Sequence, residues 1–251
     1  SGDYAYVAAD GAGLMVIDIS DPLNPDSVGN CPLPQPAPAR GVTVREPYCF
    51  EAAGHLGLRI IDISDPGNPV EVGSCDTPWD AHNVTLSGNY AYVADGSGGL
   101  ITFDISNVTS PQPVDTISSG AYDVVVSGNY LYAGGFGFRV FDITNPASPI
   151  ELSYHHVPGA TRGLALYGEY VCAATDEQYG LHIIQVSNPS SPSTVGRCGF
   201  VALVEDVATL GNYAYVLECL EYEPSSMRVI DVTDPSSPQP LGVIYTPDEA
   251  S

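Results

Sequence analysis

The sequence predicts an all-β chain, a six-bladed β-propeller of four-stranded blades whose first blade lacks its innermost strand. Three observations predict it. A ten-residue block occurs six times, a tyrosine-anchored block leads each copy, and the strand inside the ten-residue block is apolar on both faces. A repeat of about 42 residues marks a fold of stacked supersecondary units, because one unit alone cannot bury its apolar faces.

The block reads Gly13-Leu-Met-Val-Ile-Asp-Ile-Ser-Asp-Pro22. It returns as Gly57-Leu-Arg-Ile-Ile-Asp-Ile-Ser-Asp-Pro66, Gly99-Leu-Ile-Thr-Phe-Asp-Ile-Ser-Asn107 and Gly137-Phe-Arg-Val-Phe-Asp-Ile-Thr-Asn-Pro146. Two further copies are Gly180-Leu-His-Ile-Ile-Gln-Val-Ser-Asn-Pro189 and Met227-Arg-Val-Ile-Asp-Val-Thr-Asp-Pro235. The acidic residue recurs as Asp18, Asp62, Asp104, Asp142 and Asp231, with Gln185 in the fifth copy, at spacings of 44, 42, 38, 43 and 46. The second block is anchored at Tyr4, Tyr48, Tyr90, Tyr130, Tyr170 and Tyr213.

Each unit divides into four short strands. The first is a run such as Gly41-Val-Thr-Val44 or Asp123-Val-Val-Val126. A Ser-Gly-Asn turn leads to the second, Tyr90-Ala-Tyr-Val93, which alternates β-formers. Gly-rich turns such as Asp95-Gly-Ser-Gly-Gly99 lead to the third, the strand of the ten-residue block. Asp-Pro stops it, since proline cannot donate to a ladder. The fourth resembles Val70-Glu-Val-Gly-Ser74. The third strand sets Leu14 and Val16 on one face and Met15, Ile17 and Ile19 on the other, so both faces need cover. Blades stacked face to face provide it. The recurring Asp is expected to accept backbone N–H groups of the turn that follows rather than to bind a metal. Blades are expected near residues 1–40, 41–79, 80–120, 121–159, 160–203 and 204–251, in one domain.

The block Leu-x-Val-Ile-Asp-Ile-Ser-Asp-Pro resembles the LVIVD repeat, a family of bacterial and archaeal surface or secreted propellers. The resemblance covers essentially the whole chain and departs from the pattern at Gln185 and at Asn107-Val-Thr-Ser-Pro111. It implies an exported protein at the cell surface or outside the cell, and it designates no catalytic residue.

The passage Thr77-Pro-Trp-Asp-Ala-His-Asn-Val-Thr-Leu-Ser-Gly-Asn-Tyr90 joins two blades. Thr246-Pro-Asp-Glu-Ala-Ser251 matches its start and Ser1-Gly-Asp-Tyr4 its end. The equivalent of Asn83-Val-Thr-Leu86 is missing from blade one. Three explanations stand: a chain cut from a longer one, a strand donated at the blade-one edge by a neighbouring subunit, as in a filament, or a tolerated gap.

Composition narrows the function classes. Thirty Asp and Glu face seven basic residues, all Arg, for a formal charge of −23. Nucleic acid needs Lys or Arg to displace its counterions, and anionic membranes repel such a chain, so neither is an expected partner. No apolar stretch is long enough to span a bilayer as a helix. The five histidines have no metal-ligand spacing, and no hydrolase, zincin, P-loop or dinucleotide motif occurs. No cofactor is expected; Glu218, Glu221 and Glu223 in one acidic loop are at most a weak Ca²⁺ site. Cys31, Cys75 and Cys198 occupy one repeat position in three blades, so any disulfide would engage Cys49, Cys172 or Cys219, in a pairing the sequence leaves open. Small buried thiols are the equal alternative.

Sites grafted on a propeller gather in its loops. Arg40, His82, Tyr122, Arg162 and Glu205 precede the first strands, followed by Gly41, Asn83, Asp123, Gly163 and Asp206. Their diversity against uniform strands makes them the candidate ligand-binding residues of the axial mouth. Asn83-Val-Thr85 and Asn107-Val-Thr109 are sequons, with Asn107 the more accessible. The expectation is a non-enzymatic extracellular scaffold that binds protein or glycan or builds an assembly. The alternative is an enzyme or small-anion binder in which Arg40 and Arg162 hold the anion and His82 or Glu205 acts as acid or base.

Overall fold

A computed structural model describes residues 2–33, 37–176, 180–200, 203–220 and 223–245. Ser1, Glu221 and Thr246–Ser251, used in the sequence argument, lie outside them. The chain is an all-β six-bladed propeller with no helix among the described residues. The first sheet has three strands, β1 (Tyr4–Ala8), β2 (Leu14–Asp18) and β3 (Asp26–Cys31). The second holds β4 (Gly41–Arg45), β5 (Tyr48–Ala52), β6 (Leu58–Asp62) and β7 (Val70–Cys75). The third holds β8 (Asn83–Ser87), β9 (Tyr90–Ala94), β10 (Leu100–Asp104) and β11 (Gln112–Ile117). The fourth holds β12 (Ala121–Ser127), β13 (Tyr130–Gly135), β14 (Gly137–Asp142) and β15 (Ile150–His155). The fifth has β16 (Thr161–Tyr167), β17 (Tyr170–Thr175), β18 (Gly180–Gln185) and β19 (Ser193–Cys198); the sixth has β20 (Leu203–Leu210), β21 (Tyr213–Leu220), β22 (Glu223–Asp231) and β23 (Gln239–Tyr245). Two compact units emerge: Ser1–Val124 with Asn145–Pro149, and Val125–Thr144 with Ile150–Ser251.

The repeat's polar residues are spent on turns. Oδ1 of Asp18, Asp62, Asp104, Asp142 and Asp231 accepts from the backbone N–H two residues on, at 2.7–2.9 Å, as the sequence led one to expect. The closing residue of each block (Ile19, Ile63, Ile105, Ile143, Val186, Val232) donates its N–H to the carbonyl just before the anchoring tyrosine, at 2.7–2.9 Å. The third strand is thereby clamped to the turn that opens the second. A register shift between the third and fourth strands recurs in all six blades, as between Val16 and Ile17 or Val229 and Ile230. Such bulges twist the outer strand.

Neighbouring blades pack by one rule. In the first unit Leu14 and Cys31 of blade one meet Cys49, Ile61 and Ile63 of blade two, and Phe50, Leu58 and Ile60 meet Val93, Ile101 and Phe103. In the second, Phe138 and Val140 meet Val171 and Ile184, and Leu181 and Ile183 meet Val216 and Ile230. Glycine in the fourth strand lets the next blade come close. A Cβ on Gly29, Gly73 or Gly196 would stand 2.3, 1.9 and 2.0 Å from the carbonyl oxygens of Pro66, Val108 and Pro235. Blade four has Ser153 instead, whose hydroxyl donates to the Pro189 carbonyl at 2.6 Å.

Candidate functional site

In the first unit, Arg40 and His82 stand just ahead of β4 and β8, where their N–H groups bond Ala52 and Ala94 carbonyls at 2.9 and 2.8 Å. Arg40 is exposed and His82 half-buried. The His82 ring meets Tyr122 edge-on, with centroids 5.2 Å apart. One residue on, the first strands lock together. A Cβ on Gly41 would lie 2.8 Å from Asn83 Oδ1, so glycine is what admits Asn83. Asn83 Nδ2 donates to Asp123 Oδ1, and each of these oxygens also takes the next N–H of its own strand, at 2.6 and 2.7 Å. Asn83 and Asp123 are thus strand-to-strand fasteners, and the Asn83 amide nitrogen that would carry a glycan is already engaged.

Sequence reasoning passed over the residue that stands out beside them. Trp79, three residues before His82, is 58% exposed. Its N–H donates to Asp95 Oδ2 at 2.9 Å, and Asp95 is fully buried with its carboxyl pushed above the usual range by burial. The indole therefore stands on a pinned loop, outside the core. The available signal was its being the only tryptophan in the chain.

In the second unit, Arg162 and Glu205 are the extra residues of bulges, between Thr161 and Gly163 and between Val204 and Asp206. Bulges turn side chains out of the ladder. Arg162 Nε is committed to Asp176 Oδ2 at 2.8 Å. A Cβ on Gly163 would lie 2.8 Å from the Asp206 Cα, and Asp206 Oδ1 accepts from Val207 N–H at 2.7 Å. The close strand approach seen at Gly41 therefore returns here.

Family comparison follows the same repeat. The LVIVD repeat model matches residues 1–32, 37–77, 79–117, 119–155, 158–199 and 203–246. The chain belongs to the LVIVD-repeat family. No curated protein matches the sequence. Among solved structures it is similar to a functionally unknown protein from Desulfotomaculum acetoxidans, at 14% identity over 97% of this chain and 83% of that one, TM-score 0.78. It is similar to a chain of the mitotic checkpoint complex at 11% identity, covering 98% and 75%, TM-score 0.75. A third is the computationally designed Ika8 protein, at 12% identity, 97% and 72% coverage and TM-score 0.69. Likeness at these identities concerns the fold.

Three LVIVD repeats also carry an arginine at one position of the third strand. Arg59 Nη2 pairs with Asp76 at 2.9 Å, Arg139 with Glu151 at 2.7 Å and Arg228 with buried Glu218 at 2.5 Å. Glu218 also takes Ser226 Oγ–H, so it is a structural ion-pair member rather than a solvated loop carboxylate. In blade five the position is His182, buried, with neither ring nitrogen partnered among the described residues. Burial, then Arg197 and His155, lower it to about 4. Beside Arg59, Glu51 is fully buried and both its oxygens lack a partner among the described residues. Burial and then Glu71 raise it to about 8, against the pull of Arg59. The aligned repeats carried a hint: the other blades place Val7, Val93, Ala133, Ala173 and Val216 there.

All six cysteines are free thiols, with Cys31 and Cys49 in one apolar cluster and Cys172 and Cys198 in another. Burial pushes Cys172 up to about 12, and it raises Cys31, Cys49 and Cys198 as well, which keeps these thiols unreactive. Asn107 is exposed, its Oδ1 accepting from Thr109 N–H and Oγ–H. No group of three His, Cys, Asp or Glu side chains among the described residues is arranged to hold a metal.

Proposed function

We propose that the chain is a non-enzymatic extracellular or cell-surface propeller, a scaffold that binds protein or glycan through its loops. The observation that carries this reading is Trp79, exposed, backbone-pinned and three residues before His82, whose half-buried ring meets Tyr122. Aromatic faces held rigidly bind sugar rings and partner side chains at low entropic cost. The residues a catalyst or anion holder would use are partly consumed: Arg162 is neutralised by Asp176, and Asn83 is tied to Asp123. A charge of −23 without lysine turns nucleic acid and anionic lipid away and favours neutral or basic partners. In an extracellular setting Asn107 is the glycan acceptor of the two sequons.

A single tryptophan makes the test direct. Oligosaccharides and basic peptides titrated into the native protein should shift or quench Trp79 emission saturably, with the titrant recovered unchanged. Trp79→Ala should abolish binding measured by calorimetry while leaving the melting temperature in place. Turnover of any titrant that disappears in His82→Ala or Glu205→Gln would replace this reading with the enzymatic one.

A further inference from the structure

Guanidinium groups of this chain rest on aromatic rings. Arg45 stands over Phe50 at 5.3 Å from the ring centroid, Arg139 over Tyr154 at 4.7 Å and Arg228 over Phe200 at 4.8 Å. An oxygen acceptor holds each of them as well: Arg45 donates to the Gly88 carbonyl, Arg139 to Glu151 and Arg228 to Glu218. An aromatic face attracts a cation through its quadrupole, and indole does so most strongly. The planar guanidinium stacks on the ring while its N–H edge donates to a carboxylate.

Trp79 has the ring and the carboxylates of this arrangement without the cation. Its indole is 58% exposed, and among the described residues no guanidinium lies over it. The loop that carries it is acidic. Asp76 and Asp80 flank it in the sequence, and Asp95 Oδ2 accepts its backbone N–H at 2.9 Å. Asp95 Oδ1 is buried with no partner among the described residues. Burial raises the Asp95 carboxyl and the Asp80 charge adds to the rise, with no arginine acting against them. Arg59, bonded to Asp76 at 2.9 Å, is divided between that residue and Glu71 at 3.5 Å, and its side chain is 10% exposed. All of these loop residues lie within the first unit.

We propose that the Trp79 loop receives an arginine side chain of a partner protein, its guanidinium stacked on the indole and its N–H groups donated to the Asp80 carboxylate. This rests on Trp79 being the contact residue of the scaffold, and it selects a basic protein segment over a glycan. A sugar stacks on indole and hydrogen-bonds to carboxylates, but its neutral hydroxyls leave the charge of the loop uncompensated. A guanidinium answers both the ring and the charge. The net charge of −23 draws the same partner in from a distance.

The probe is a short glycine–serine peptide holding a single arginine, paired with its citrulline counterpart, which keeps the shape and lacks the charge. Titrated into the native protein, the arginine peptide should change Trp79 emission saturably. The citrulline peptide and neutral oligosaccharides should bind about tenfold more weakly or not at all. By calorimetry, Asp80→Asn and Trp79→Leu should each weaken the arginine peptide by about three- to tenfold, with circular dichroism unchanged. Added sodium chloride should weaken it too. Equal affinity for the citrulline peptide overturns the proposal, as does wild-type affinity in Asp80→Asn. Wild-type affinity in Trp79→Leu also overturns it, since general attraction to an acidic chain is then enough. Saturable oligosaccharide binding at Trp79 with no response to arginine overturns it while the scaffold reading stands, and silence from every titrant overturns both.

Discussion

Glu51 and His182 show how a single side chain can set the pH response of a fold. A Glu51 carboxyl held at about 8 is protonated in the folded state over a range where the unfolded chain, near 4.5, has released its proton. Its contribution is complete below about 4.5 and is lost as pH rises toward 8. His182 runs the other way. With its folded value at about 4 against 6.5, the unfolded chain binds the proton first, and stability is lost as pH falls from 6.5 through 4. Glu51→Val, the choice of blades one, three and six, should therefore raise the melting temperature at pH 8 and flatten its decline above pH 5. His182→Met should flatten the acid side only. At about 1.36 kcal/mol per unit each effect reaches a few kcal/mol, readable by thermal melts across pH. A wild-type profile that is level from pH 5 to 8 would rule out the assignment of Glu51. Glycines supply a second contrast. Gly73→Ala drives a methyl into the Val108 carbonyl and should cost about 1–3 kcal/mol. Gly88→Ala meets nothing within 4 Å and bears only its positive φ of 54°, about 1 kcal/mol.

At the scale of the element, the repeated block is a strand with its own stop. The Asp at its end draws its carboxylate below the usual range by hydrogen bonds to the Ser or Thr two residues on, in five copies. A depressed carboxylate contributes stability above the unfolded value of about 3.8 that vanishes as pH falls below it. These exposed turns should be the last element to respond in an acid titration, after His182 has charged. Gln185 cannot join them. Gln185→Asp should create the equivalent Oδ1 bond to Ser187 N–H and raise neutral-pH stability by about 0.5 kcal/mol or more, measured by denaturant unfolding at pH 7 and shrinking as pH falls below 3.8. The strands and their order were legible because two blocks recur six times, with a third strand apolar on both faces, and the three-stranded first blade because no equivalent of Asn83-Val-Thr-Leu86 precedes Tyr4. The candidate site was less so. Arg40, His82 and Trp79 sit in loops, where identity is not dictated by packing, and Arg162's partner Asp176 lies fourteen residues away, six after the anchoring tyrosine, where blades two and three have Gly54 and Gly96. Asn83–Asp123 was hidden for the opposite reason, since two residues that looked chosen for a ligand are chosen for each other.

For the whole molecule the governing quantity is charge. Each copy carries −23, so two copies repel at long range whatever their faces offer. The same excess of carboxylates repels itself within one chain and works against the compact state. Salt screens that repulsion over about 10 Å at 0.1 M. The melting temperature at pH 7 should therefore rise as sodium chloride is added. The ion pairs Arg59–Asp76, Arg139–Glu151 and Arg228–Glu218 pull the other way, since screening weakens them too. Thermal melts over a salt series decide which prevails, and a melting temperature that falls with salt would mean that these pairs outweigh the net repulsion.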